Sequence, residues 1–143
     1  MELSARQWLI IGALIVGFAI AAIVARGDGT REPDFDSATW CSGAQGLAGL
    51  EPLFTGTAAS ATAADYDAAK EALYAVETTA PFELRDAVNF LSDFTFVAGQ
   101  QFDVFDWPAA YDAARDNTDT AVVDRSLADL DRELQTCGVA FAG

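Results

Sequence analysis

Residues 8–25 read WLIIGALIVGFAIAAIVA, a run of 18 residues without a charge, an amide or a hydroxyl. As a helix it spans roughly 27 Å, close to the hydrocarbon core of a bilayer. No other stretch constrains the chain as strongly. It predicts an export or membrane segment at 1–26, a polar linker at 27–36 and a separate domain at 37–143. A secretory apolar region is shorter, about 7–15 residues, and ends at a small-x-small cleavage site. Here the run is longer, and cleavage after Ala25 places Ile23 at the −3 position. Trp8 and Arg26 sit at its two edges, as interface anchors do. The expectation is a retained single-span anchor, with release by signal cleavage as the alternative. A lipoprotein signal is rejected, because the first cysteine, Cys41, lies far beyond the run.

Basic residues flank both sides of the run nearly equally, so they do not orient it. The cysteines and the short N-terminal tail favour a cytoplasmic N-terminus and an exported domain. Within the run, Ala13, Gly17, Ala21 and Ala25 recur every four residues. Such a small-residue stripe lets another membrane helix approach closely. It is a candidate face for another membrane subunit or a second copy of the chain; the competing reading is a plain lipid-facing anchor, since small residues are common in such segments.

The remaining stretch, about 117 residues, is enough for one domain with a real core. The chain carries 8 basic and 22 acidic side chains, a net charge of −14 and no histidine. So negative a surface repels nucleic-acid phosphates and anionic headgroups. Nucleic acid is therefore not an expected partner.

Four helices are legible. The first, predicted over 37–51, is capped by Asp36 or Ser37, carries Trp40, Ala44, Leu47 and Leu50 on one stripe, and is ended or kinked by Pro52. A second starts at a capping box, Thr62 to Asp65, and aligns Tyr66, Ala69, Leu73 and Val76. A third begins near Pro81; its stripe of Leu84, Ala87, Val88, Leu91, Phe94 and Ala98 is widened by Phe90 and Val97, which predicts the most enclosed helix. The fourth, 120–137, aligns Val123, Leu127, Leu130, Leu134 and Cys137 and ends at Gly138. Surface pairs are expected between Asp67 and Lys70 and between Arg125 and Asp129. Short links predict an all-α, antiparallel four-helix bundle.

The two cysteines test that topology. In an up-down-up-down bundle the start of the first helix and the end of the fourth lie at one end. Cys41 and Cys137 fall at those two places. An even pair in an exported domain reads as one disulfide.

The sequence carries no recognisable catalytic constellation, cofactor motif or metal site. Without histidine, Ser–His–Asp and Cys–His arrangements are excluded. Asp116 to Ala121 is the nearest approach to a calcium loop, but it lacks the sixth-position Gly and reads as a helix cap. Asp129 and Glu133 read as solvated charge, and Arg26-Gly27-Asp28 as coincidence. A final segment, 96–111, is dense in aromatic residues. Phe102, Phe105, Trp107 and Tyr111, punctuated by Asp103 and Asp106, form a candidate partner patch; the competing reading is a loop pinned by its own rings.

With an N-terminal anchor, an Ala/Asp-rich helical domain, Trp40-Cys41 near its start and a closing Thr136-Cys137-Gly138, the layout resembles small exported, membrane-anchored actinobacterial proteins. Some single-span proteins of this kind are accessory subunits of membrane complexes, respiratory ones included. The small-residue face of the anchor and the acidic exported bundle together lead to the expectation of a non-enzymatic interaction module at the cell membrane. A secreted binder of a small apolar ligand or a cation is the alternative reading.

Overall fold

A computed structural model describes residues 35–143. The expected anchor at 1–26, its stripe of Ala13, Gly17, Ala21 and Ala25, and linker residues 27–34 lie outside the described residues. Among the described residues all regular structure is helical, and no helix is long and apolar enough to cross a membrane.

The chain enters helix α1, Ser37–Ala44, through Asp36. The Asp36 carboxylate accepts from the amides of Ala38 and Thr39 at 3.0 and 3.3 Å and from the Thr39 hydroxyl at 2.6 Å. These bonds, the Thr39 hydroxyl foremost, hold its pKa below the usual carboxylate value. The predicted first helix does not continue to Glu51. It tightens into a 3₁₀ turn at Gln45–Leu47, and a separate short helix α2 spans Glu51–Thr55. Pro52 therefore opens a helix and does not stop one. At the first turn its missing N–H costs nothing, because those donors have no intrahelical partner. The amides around the break are met from elsewhere: Gly49 and Glu51 donate to the carbonyls of Ala140 and Phe141, both at 3.0 Å. The C-terminal tail thus returns alongside the broken segment and buries Val139 and Phe141.

Helix α3, Ala63–Glu77, begins with the predicted capping box: the Thr62 side chain accepts from the Asp65 amide, and the Asp65 carboxylate accepts from the Thr62 amide. After Pro81 a 3₁₀ turn, Phe82–Leu84, leads into α4, Arg85–Gln101. Helix α5, Ala109–Asp116, follows Pro108, and α6, Thr120–Thr136, is capped by Asp119. Asp119 thus acts as the helix cap that its segment predicted. Gly138 takes a left-handed φ of 69°, and the Val139 amide donates back to Leu134 at 3.0 Å. That closing turn requires the conformation glycine adopts without penalty.

The predicted stripes are the core. Tyr66, Ala69, Leu73 and Val76 of α3 are buried, as are Ala87, Val88, Leu91, Phe94 and Ala98 of α4 and Val123, Leu127, Leu130 and Leu134 of α6. Helix α4 touches α3, α5 and α6, so it is the central element, as its wide apolar face required. Gly99, near the end of α4, lies beside Tyr66 at the start of α3, which makes the pair antiparallel. The Cys41–Cys137 disulfide is formed, with Cα atoms 5.1 Å apart across a sequence separation of 96. On the surface, Lys70 pairs with Asp67 at 2.8 Å. The expected Arg125–Asp129 pair is replaced by Arg132–Asp129 at 3.0 Å. Both spacings place the two residues on neighbouring positions of a helix, and here the i+3 guanidinium takes the carboxylate.

Candidate functional site

The aromatic segment after α4 divides into rings that hold the fold and side chains that do not. Tyr111 of α5 is part of the scaffold. Its hydroxyl donates to the Phe54 carbonyl at 3.2 Å, and its ring meets Phe94 and Trp107 at centroid distances of 6.2 and 5.9 Å. Phe102 packs on Tyr66 at 5.9 Å, and the Tyr66 hydroxyl donates to the Leu53 carbonyl at 2.6 Å. Burial pushes both tyrosine hydroxyls above the ordinary phenol pKa; Arg115 partly offsets this at Tyr111. So Phe102, Trp107 and Tyr111, three members of the predicted patch, are half-buried against the core. Phe105 is the member that stays on the surface, 42% exposed.

Sequence reasoning missed two neighbours. Val104 is 77% exposed and Phe96 is 53% exposed. Phe96 was legible in principle. With Phe94 and Ala98 on the buried stripe, a residue two steps along a helix points about 200° away from either. Val104 lies in the turns just past α4, where helical periodicity gives no direction. Of the other exposed large apolar residues, Phe82 has the Arg85 guanidinium 6.0 Å from its ring centroid, and Tyr74 carries a hydroxyl. Phe96, Val104 and Phe105 are thus three exposed apolar residues within ten residues of chain.

An open groove of about 460 Å³ runs between the start of α3 and the end of α4. Ala63, Ala64 and Gly99 make its small-residue lining, Phe96 its aromatic wall, and Asp67, Lys70, Gln100 and Asp103 its polar rim. The Lys70 ammonium is engaged by Asp67, whose hydrogen bond holds its pKa above the usual value. It is therefore a charged, paired group and not a free base. Thr95 donates to the Ser92 carbonyl at 2.6 Å. The carboxylates of Asp103 and Asp106 are exposed and make no hydrogen bond or ion pair among the described residues. Among the described residues no cluster of His, Cys, Asp or Glu could hold a metal ion. The arrangement offers shape, apolar surface and negative charge.

No protein-family model, curated protein or solved structure matches this chain.

Proposed function

We propose that this protein is a non-enzymatic interaction module, held at a membrane by the apolar run 8–25 and serving as an accessory subunit of a larger membrane complex, with its helical domain on the extracytoplasmic side. One observation carries the docking half of this reading. Phe96, Val104 and Phe105 are exposed at the end of a helix whose inward face is fully used for packing. Exposed large apolar side chains beside polar groups are what a partner surface covers. The anchoring half rests on the length and purity of the apolar run and on its small-residue stripe.

The test is affinity purification of the full chain in mild detergent, comparing wild type with a Val104→Ser/Phe105→Ser variant. Both side chains are exposed, so the variant should melt within about 0.5 kcal/mol of wild type. Chains that co-purify with wild type should be depleted from the variant. Equal recovery from both would remove this surface as the docking site.

A further inference from the structure

We propose that the groove between α3 and α4 receives an arginine or lysine side chain of a partner protein, whose apolar neighbours rest on Phe96 and Val104. This rests on the docking reading above and names the chemistry of the partner.

The charge of the groove decides the sign of its occupant. Asp67 and Lys70 cancel each other at 2.8 Å. Asp103 then remains on the rim as a carboxylate without a partner among the described residues. One feature pulls the other way: Ala63 and Ala64 occupy the first turn of α3, where helix N-termini favour anions. Asp65 already places a carboxylate on that end and closes the capping box. The wider field agrees with Asp103. Residues 35–143 contain 18 acidic and 5 basic side chains. Three of the five basic groups, Lys70, Arg115 and Arg132, are tied to carboxylates, and Arg85 donates to the carbonyls of Ala80 and Thr78. An anionic peptide or an anionic membrane surface would be repelled on approach.

The shape of the groove separates a basic side chain from a simple cation. A metal ion needs several converging oxygens, and the groove offers an aromatic wall and a floor of Ala and Gly. A long basic side chain matches both parts. Its methylene stem lies against apolar surface while its charged end meets Asp103. A guanidinium also stacks on an aromatic face, here the half-exposed Phe96. Val104 and Phe105 follow Asp103 directly in the chain and are exposed, which leaves them available to residues flanking the basic one.

The experiment uses the full chain in a neutral detergent and fluorescence anisotropy. The probe is a short labelled peptide alternating leucine and arginine; its control carries citrulline, the neutral isostere, at every arginine. The arginine peptide should bind, more weakly as salt rises, and the citrulline peptide should bind at least about tenfold more weakly. Asp103→Asn should weaken arginine-peptide binding about fivefold, while Glu77→Gln, which removes an equal charge some 15 Å along α3, should change it less than about twofold. Equal binding of the two peptides would overturn the charge selection and leave the apolar docking surface standing. Equal loss from Asp103→Asn and Glu77→Gln would assign binding to the diffuse field and overturn the groove. Binding of neither peptide would overturn the proposal as well, while co-purification with the Val104→Ser/Phe105→Ser variant judges the docking surface separately.

Discussion

Two parts of this domain are held together by different means. Where α1 meets the end of α6, the chain is closed covalently by Cys41–Cys137, and the tail beyond it hydrogen-bonds its backbone to Gly49 and Glu51. Where α4 gives way to α5, no covalent link exists among the described residues. That region is pinned by rings and by two tyrosine hydroxyls that reach the carbonyls of Leu53 and Phe54. The first arrangement uses up its apolar side chains: Trp40, Leu47, Val139 and Phe141 are all buried. The second leaves Phe96, Val104 and Phe105 outside. The contrast separates a part of the surface spent on stability from a part available for contact.

The largest expected effect breaks the first region. A Cys41→Ser/Cys137→Ser double variant should lose about 2–5 kcal/mol, because the bond closes a long loop in the unfolded chain. A urea melt without reductant measures it. A midpoint unchanged from wild type would mean that the tail hydrogen bonds alone close that end.

The next prediction addresses the second region. Gly56 ends α2 with a left-handed φ of 72°, and a Cβ placed there would lie 2.5 Å from the Tyr111 ring. Gly56→Ala therefore combines backbone strain with a clash against α5, and should cost about 1–3 kcal/mol. The same melt reads it. A wild-type midpoint would show that α5 moves freely against α2 and that the ring contacts do not pin it.

The smallest effect concerns pH. Burial raises the Tyr66 hydroxyl above its ordinary value, whereas the unfolded chain returns it to about 10. Above that pH the unfolded chain loses this proton first, so it binds fewer protons than the folded chain. The contribution of Tyr66 is thus full below about pH 10 and declines as pH rises beyond it. Tyr111 acts in the same direction. Melts from neutral to strongly alkaline pH should fall at the alkaline end, and Tyr66→Phe should flatten part of the fall. It should also lower stability at neutral pH by about 1 kcal/mol through the lost bond to Leu53. An alkaline slope identical in Tyr66→Phe would show that this hydroxyl does not titrate differently in the folded state.

What the sequence determined by itself was local or periodic. The faces of α3, α4 and α6 follow from spacing, because a helix repeats every 3.6 residues whatever it packs against. The caps at Thr62, Asp119 and Gly138 follow from side chains and glycine placed beside the backbone groups they satisfy or turn; between Asp36 and Ser37, which the sequence offered equally, the structure chose Asp36. The pairing of Cys41 with Cys137 followed from the order of the helices and from there being two cysteines to join. Only the tertiary structure decided the rest. The first helix breaks at Gln45, and the amides of Gly49 and Glu51 beyond the break are met by carbonyls of the tail, some 90 residues later; no local signal carries those bonds. Phe102, Trp107 and Tyr111 turn inward while Val104 and Phe105 stay out, since beyond Gln101 the helical repeat ends and direction depends on what each ring meets. The groove needs Ala63 and Asp103 side by side, a juxtaposition created by the antiparallel packing of α3 against α4 and by neither helix alone.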